Sequence, residues 1–209
     1  MASLILSVSC SGRQDYKPDA YRVKRGDTLY SIAWRHGLDH RQLARWNQLD
    51  NENLIYPGQV LILKPPGASR RSNPNATSSA RVADSGQTWV WPTTGRVVST
   101  FTQGGGVAGK GIDIAGRSGQ PIRAAAPGKV VYSGSGLLGY GQLIIVKHSN
   151  TYLSAYGHSD ELLVQEGDSV KAGERIAKMG VGPEKRPLLH FEIRLNGKPV
   201  DPLRYLPAQ

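Results

Sequence analysis

The sequence has little cysteine: Cys10 stands alone, so the chain cannot form an internal disulfide. It also lacks an apolar run long enough to cross a membrane. No aromatic-basic RNA motif, zinc-finger spacing or basic helix is found, which argues against a nucleic-acid partner. Acidic residues are scarce, since 16 Asp and Glu stand against 26 Lys and Arg and leave a net charge of +10. This excess favours an anionic partner, such as acidic lipid or a cell-wall polymer, or serves solubility alone.

Turn-forming residues are abundant, with 25 Gly and 13 Pro among 209 residues. Because these residues interrupt helices and mark tight turns, the composition favours short strands over long helices. The length allows one or two domains.

The N-terminal segment carries a short apolar run, residues 3–9, directly before Cys10. This arrangement resembles the end of a bacterial lipoprotein signal, in which the cysteine is lipidated after cleavage. The run is short and no Lys or Arg precedes it, whereas signals have a positive first region. We expect residues 1–19 to be a lipoprotein signal remnant and tether; the alternative is an ordinary N-terminus.

The pattern of residues 20–64 predicts a small α+β domain, in which the elements follow the order strand, helix, helix, strand. The first helix follows Asp27 or Thr28, either of which can cap it. A second helix spans about 40–46, and the apolar run 60–63 closes the unit as a strand.

Two loops of this unit are expected to meet at one end, where they offer backbone donors and acceptors beside apolar surface. They comprise Gly26, Asp27 and Thr28, and Ile55, Tyr56 and Pro57. The segments YRVKRGDTLYSIAWRHG and LARWNQLDNENLIYPGQVLIL resemble a LysM module. The resemblance implies binding to glycans that contain N-acetylglucosamine, here peptidoglycan.

Residues 65–87 have no apolar periodicity and are rich in Ser, Pro, Asn and Arg. This composition predicts a disordered linker between two domains.

Residues 88–209 contain short apolar runs separated by Gly turns, which predicts an antiparallel β sandwich or barrel. The segments that match a known family are GKGIDIA, GQPIRAAAPGKVVYSG, GYGQLIIVKHSNTYLSAYGHSD, VQEGDSVKAGERIAKMG and LLHFEIRLNGKPVDPLRYLP. They resemble the LytM, or lysostaphin-like, zinc peptidase domain, which implies a mainly-β fold of antiparallel sheets. The order of LysM module, polar linker and this domain resembles the NlpD/YgeR-like lipoproteins of Gram-negative bacteria.

The segment 187–194 alternates with period two, as a strand does. Leu188, His190, Glu192 and Arg194 therefore share one face, which we expect to line a polar groove.

In active LytM peptidases, zinc is held by a His, an Asp four residues later and the second His of a His-x-His strand. The resemblance matches these ligands to Gly109, Asp113 and His190, and the two catalytic histidines to His158 and Leu188. Gly and Leu supply neither a ligand nor a proton. The resemblance therefore implies a degenerate peptidase without a metal cofactor, in which Asp113 pairs with His190 directly.

By the same resemblance, such domains activate zinc-dependent, AmiC-like N-acetylmuramyl-L-alanine amidases that split septal peptidoglycan. The protein would act in the Gram-negative periplasm, at the outer membrane. The expected amidase groove comprises Lys110, Asp113, Tyr156, His158, His190 and Arg194. Two alternatives stay open: a zinc endopeptidase with a rearranged site, and a structural lipoprotein that binds the wall through LysM alone.

Overall fold

The computed structural model describes residues 19–51, 54–65, 87–103 and 106–209. Cys10 and nearly all of the expected linker lie outside these ranges. Within them, no helix has the length and apolar character needed to cross a membrane.

The LysM unit has the predicted order of elements. Strand β1 (Ala20–Arg22) precedes helices α1 (Leu29–His36) and α2 (His40–Trp46), and strand β2 (Val60–Ile62) pairs antiparallel with β1. Its core is formed mainly by Val23, Leu29, Ile32, Ala33, Leu43, Ala44, Leu61 and Leu63.

Local side chains fix the start of each helix. The Thr28 hydroxyl accepts a hydrogen bond from the Ser31 N–H, and Ser31 Oγ accepts one from the Thr28 N–H, so the two form a capping box. Asp39 caps α2 by accepting from the N–H groups of Arg41 and Gln42. Thr28, and not Asp27, is therefore the cap of α1.

The second domain is mainly β, and its described strands form one antiparallel ten-stranded sheet. The strands are β3 (Val97–Ser99), β4 (Ile112–Ala115), β5 (Pro121–Arg123), β6 (Gly128–Gly134), β7 (Gln142–Lys147), β8 (Tyr152–Leu162), β9 (Ser169–Val170), β10 (Arg175–Met179), β11 (Leu188–Leu195) and β12 (Lys198–Val200). The main path runs β3-β4-β11-β8-β7-β6-β9, while β12 pairs with β11 and β10 joins β5 to β8.

The sheet has a buried cluster on each face. One cluster is the core of the second domain and includes Ile112, Ile114, Ile144, Val146, Tyr156, Leu189, Phe191 and Ile193. The other combines two aromatic residues of α1, Tyr30 and Trp34, with sheet residues such as Leu143, Ile145, Leu153 and Ala155. Helix α1 therefore covers the second face of the sheet, and the LysM unit is docked on the second domain.

Polar contacts fix this docking. The Arg194 guanidinium donates to the Trp34 carbonyl at 2.8 Å and lies 3.4 Å from the centre of the Trp34 ring. Lys147 Nζ donates to the Tyr30 hydroxyl at 3.0 Å. Across the same boundary, the Thr28 hydroxyl donates to the Val131 carbonyl at 3.2 Å.

The turn between β11 and β12 also touches the LysM unit. Arg41 donates to the Asn196 side-chain oxygen at 2.9 Å. Gly197 has φ 77°, and a Cβ atom at this position would lie 2.3 Å from the Leu38 carbonyl oxygen. The close approach of the two backbones therefore requires glycine.

Candidate functional site

The polar face of β11 is buried for most of its length. The strand lies between β4 and β8, with Leu188 opposite Ala115 and His190 opposite Asp113. Leu188 is half-buried at the start of the strand, whereas Glu192 is fully buried. The predicted sharing of one face is correct, but that face is buried from His190 to Arg194, where Tyr140 contacts His190 and Glu192 and Trp34 of the LysM unit covers Arg194.

His190 holds hydrogen bonds on both ring nitrogens. Nδ1 lies 2.7 Å from Asp113 Oδ1, and Nε2 lies 3.2 Å from Glu192 Oε1. Burial by itself lowers the His190 pKa, but the hydrogen bonds and charges of the two carboxylates outweigh it and raise the pKa to about 9. The ring is therefore an imidazolium at neutral pH and donates from both nitrogens. The direct pairing of Asp113 with His190 is confirmed.

Glu192 extends these contacts towards the LysM unit. Its Oε2 accepts from Arg194 Nε at 3.0 Å, and its Oε1 accepts from the Tyr140 hydroxyl at 2.7 Å. Burial raises the Glu192 pKa, but the Arg194 charge and the His190 contact lower it overall. We call Asp113, His190, Glu192, Arg194 and Tyr140 the buried polar network.

At the positions that the family resemblance matches to zinc ligands, the side-chain donors are Asp113 and His190, which pair with each other. Gly109 has no side chain, and a Cβ there would lie 3.1 Å from the Thr102 carbonyl oxygen. Leu188 packs against Gly182, where a Cβ would come within 2.8 Å of the leucine Cγ. Among the residues that the structure describes, no group of three or more His, Cys, Asp or Glu is placed to hold a metal ion.

His158 is half-buried beside the network. Its ring centre lies 6.1 Å from that of His190. Burial lowers its pKa, the His190 charge lowers it further, and Asp113 opposes both effects. His158 also adopts φ 61°, an unusual backbone conformation for a residue with a side chain.

An open groove of about 530 Å³ lies beside the start of β11. Its lining includes Arg96, Val98, Asp113, Glu184, Arg186 and Leu188. Two cations, two carboxylates and an apolar patch therefore meet in one depression, which we call the groove.

Of the six residues expected in the amidase groove, Asp113 belongs to the groove lining, whereas the buried His190 and the neighbouring His158 do not. The other three lie further away. Tyr156 is fully buried in the core, where its hydroxyl accepts from the Ala125 N–H and the Ser154 hydroxyl. Arg194 is buried beneath Trp34, and Lys110 lines a different depression. The structure therefore does not place these three residues at the groove rim: Tyr156 lies on the core face of β8, Trp34 of α1 covers Arg194, and Lys110 lies before β4 and lines the other depression.

That second depression, which we call the interdomain cleft, has a volume of about 680 Å³. Its lining includes Lys24, Arg25, Gly26 and Asp27 from the LysM unit, and Lys110 and Tyr140 from the second domain. No local pattern in the sequence predicts this cleft, because it exists only where the two domains touch.

The expected glycan-binding loops emerge at the same end of the LysM unit. The Gly58 N–H donates to the Val23 carbonyl at 2.8 Å, which holds the second loop beside the end of β1. Tyr56 and Pro57 are exposed there. Glycan binding by these loops stays a prediction.

Comparison with known proteins agrees with both domains. A LysM domain model matches residues 21–64, and a model of peptidase family M23 matches residues 108–202. The lipoprotein NlpD/LppB homolog of Pseudomonas aeruginosa is 43% identical, with 90% of this chain and 77% of that protein covered. The chain belongs to the NlpD/YgeR family of lipoproteins.

Two Escherichia coli relatives support the assignment to the NlpD/YgeR family. The uncharacterized lipoprotein YgeR is 42% identical and covers 98% of this chain, with 90% of its own length aligned. The murein hydrolase activator NlpD is 36% identical over 93% of this chain and 69% of its own length. The LysM match implies peptidoglycan binding, and the relatives' names indicate a cell-wall role in this family.

The fold of the second domain also resembles a solved structure. Csd3 of Helicobacter pylori aligns with a TM-score of 0.52 at 28% identity, over 58% of this chain and 34% of that chain. The expected mainly-β, antiparallel peptidase-type fold is confirmed for this member of the NlpD/YgeR family.

Proposed function

We propose that the protein is a non-catalytic activator of periplasmic N-acetylmuramyl-L-alanine amidases, held on peptidoglycan by its LysM unit. Lipidation of Cys10 would anchor it at the outer membrane. The observation that carries the proposal concerns His190, because each of its two ring nitrogens is hydrogen-bonded to a carboxylate. Gly109 and Leu188 offer no replacement donor, so the M23 fold lacks the groups that zinc chemistry needs.

The name of the Escherichia coli relative, murein hydrolase activator, supports an activating role over a peptidase role. Glu192 is the nearest carboxylate that a rearranged metal site would use. Its two oxygens already accept from His190, Tyr140 and Arg194. A rearranged zinc site would therefore have to break a buried, charged network.

The groove is the surface that we assign to the amidase. Its apolar patch at Leu188 and Val98 suits an apolar side chain of the partner, and its balanced charges suit a partner of mixed charge. An activator must bind the active state of the amidase more tightly than the inhibited state. Reversing a 1:99 ratio of the two states to 99:1 takes about 5.5 kcal/mol of differential binding.

The test uses dye-labelled peptidoglycan sacculi and the purified chain, alone and with each candidate amidase. Zinc bound to the chain is measured on the same sample. We expect dye release above that of the amidase alone only when both proteins are present, with no stoichiometric zinc on this chain. Release by the chain alone, abolished by a chelator, would make it a zinc endopeptidase. Binding to sacculi without an effect on any amidase would leave only a wall-binding role.

A further inference from the structure

The first of the two expected glycan-binding loops, residues 26–28, is bonded to the second domain. The Thr28 hydroxyl donates to the Val131 carbonyl on β6 at 3.2 Å, and the same oxygen accepts from the Ser31 N–H. A hydroxyl has one proton to donate. Because the Val131 carbonyl receives that proton, the Thr28 side chain has none to offer a sugar. Its contacts hold the loop in place instead.

Asp27 connects the same loop to the second domain through Arg35. The Asp27 carboxylate is 8% exposed, and one of its oxygens accepts from the Tyr21 hydroxyl and the Lys24 N–H, each at 2.8 Å. The other oxygen accepts from the Arg35 guanidinium at 3.2 Å. Arg35 in turn donates to the Gly136 carbonyl of the second domain at 3.4 Å. The cation that neutralises this nearly buried carboxylate is therefore held from both domains.

The second expected loop, residues 55–57, is held by bonds within the LysM unit. The Gly58 N–H donates to the Val23 carbonyl at 2.8 Å, and the Tyr56 N–H donates to the Gln59 side-chain oxygen at 3.0 Å. The bonds of the first loop, in contrast, cross the domain boundary. The first loop is therefore the half of the expected sugar site whose shape depends on docking.

Resting on the proposed binding of peptidoglycan by the LysM unit, we propose that Thr28 and Arg35 are positioning residues. Through them, the second domain holds the first loop in its sugar-binding shape. A flexible loop must be ordered when a ligand binds, which lowers affinity, and the docked second domain supplies that order in advance. Sugar therefore binds the docked protein more tightly than the undocked protein. By linkage, bound sugar stabilises the docked state to the same extent.

The first test separates the domains without altering the LysM unit. Asparagine tolerates the φ of 77° at Gly197, but its Cβ would lie 2.3 Å from the Leu38 carbonyl oxygen. We expect Gly197→Asn to bind a soluble oligomer of N-acetylglucosamine about three- to tenfold more weakly than the parent, as for the loss of one net hydrogen bond. Titration calorimetry of the full chain measures this affinity.

Gly173→Asn is the matched control for this variant. Gly173 has the same φ of 77°, and a Cβ there meets nothing within 4 Å. This control should bind the oligomer like the parent chain. Equal affinity of the parent and an undocked Gly197→Asn chain would overturn the inference.

The second test removes a positioning side chain. Arg35→Met keeps an aliphatic stem but loses the donors to Asp27 and Gly136, and we expect a loss of affinity of about three- to tenfold. Arg35→Lys keeps a cationic donor and should recover part of that loss. Arg45→Met, at an exposed arginine on α2, is the control and should bind like the parent. Unchanged affinity of the Arg35→Met chain would overturn the inference.

A double variant distinguishes positioning from a role within the LysM unit alone. If Arg35 acts through the second domain, its loss matters less once the domains are apart. We therefore expect the chain with both Arg35→Met and Gly197→Asn to lose less affinity than the sum of the two separate losses, on a free-energy scale. Fully additive losses would confine the effect of Arg35 to the LysM unit and overturn the inference.

Hydrogen exchange tests the linkage at a distance from the sugar. The turn at residues 195–198 contacts Leu38, beyond the far end of α1 from the first loop. The eight residues of α1 span about 12 Å, so a sugar on the loop does not shield this turn directly. We expect the N-acetylglucosamine oligomer to slow exchange at residues 195–198 in the parent, and to leave the turn at residues 171–174 unchanged. Unchanged exchange at residues 195–198 in the sugar-bound parent would overturn the inference.

Sacculus binding and amidase stimulation, measured on the same proteins, separate this inference from the proposed function. If the parent binds the oligomer and sacculi but undocking has no effect, the inference alone fails. If undocking weakens sugar binding but the parent stimulates no amidase, the inference holds and the amidase proposal fails. If the parent binds neither the oligomer nor sacculi, the proposed wall binding fails and the inference fails with it.

Discussion

The groove and the interdomain cleft are depressions of similar size, about 530 and 680 Å³, with different charge. In the groove, Arg96 and Arg186 are matched by Asp113 and Glu184. In the cleft, several cations accompany one carboxylate, that of Asp27. Balanced charge beside an apolar patch suits a folded protein partner, whereas a net positive cleft suits an anionic polymer. The two depressions therefore differ in the kind of ligand that their charge would favour.

The buried polar network lies between these two surfaces. Asp113 lines the groove at one end, and Tyr140 lines the cleft at the other. His190 and Glu192 join them through hydrogen bonds of 2.7 to 3.2 Å. Charged groups in a buried network interact strongly, so a change at one end is expected to alter the other.

The largest effect should come from the arginine that connects this network to the LysM unit. Arg194→Met would leave Glu192 without its strongest cationic partner and remove the contact with Trp34. We expect a loss of about 3–5 kcal/mol in the free energy of unfolding, measured by chemical denaturation. Arg175→Met, at an exposed position on β10, is the control. A loss below about 1 kcal/mol would mean that the network does not stabilise the docked structure.

The charge on His190 should make stability depend on pH. Its pKa is about 9 in the folded chain, compared with the ordinary histidine value of 6.5 that we take for the unfolded chain. Because the folded pKa is raised, the stabilisation is complete below pH 6.5 and is lost as pH rises towards 9. At about 1.4 kcal/mol per pKa unit, this loss is on the order of 3 kcal/mol. Denaturation series at several pH values should show it, and His190→Gln should abolish it.

His148 supplies the opposite dependence within the same domain. Burial lowers its pKa to about 4, although a hydrogen bond to the Pro127 carbonyl opposes the shift. Its stabilisation is present above pH 6.5 and is lost as pH falls towards 4. The two histidines can therefore be told apart by pH. If stability still declines above pH 6.5 in the His190→Gln variant, the decline does not come from the charge on His190.

A smaller effect is expected in the groove. Leu188→Asp places a carboxylate in the apolar patch. Binding of the partner would then have to strip the hydrating water from this carboxylate, which is costly. We expect amidase stimulation to fall by about tenfold or more, equivalent to about 1.4 kcal/mol, with sacculus binding unchanged. Leu203→Asp, at a residue that is 41% exposed and outside the groove lining, is the matched control. Equal losses in both variants would point to a general effect of added charge.

The smallest effect should appear in salt dependence. Because the exposed Lys24 and Arg25 flank the expected glycan loop at Gly26, whereas the groove has balanced charge, added salt should weaken sacculus binding more than it weakens amidase binding. A decrease of about threefold in sacculus affinity, between low and physiological salt, is expected for a few partly exposed ion pairs. Co-sedimentation measures the first quantity and calorimetry the second. An equal salt dependence would remove the proposed distinction between the two surfaces.

Local patterns predicted much of this structure. The order of elements in the LysM unit, and Thr28 as one of two possible caps of α1, follow from side chains close in sequence. The period of β11 placed His190, Glu192 and Arg194 on one face, and the family resemblance paired His190 with Asp113. These features depend on strand and helix periodicity or on matched motifs.

Long-range packing was not predictable in the same way. Arg194 was expected at a groove rim because its face is polar, but Trp34, 160 residues earlier, covers it. Tyr156 was likewise expected to be accessible, yet it belongs to the core face of β8. Alternation shows which residues share a face; it does not show what lies on that face.

The docking of the LysM unit would determine where along the peptidoglycan strand the amidase cleaves. If the LysM loops hold a glycan strand and the groove holds an amidase, the Arg194–Trp34 contact fixes the distance and angle between strand and enzyme. The amidase would then reach only those peptide attachment points that face it along the strand. Cleavage would follow the repeat of the strand, with sites spaced at regular intervals instead of being scattered over the wall.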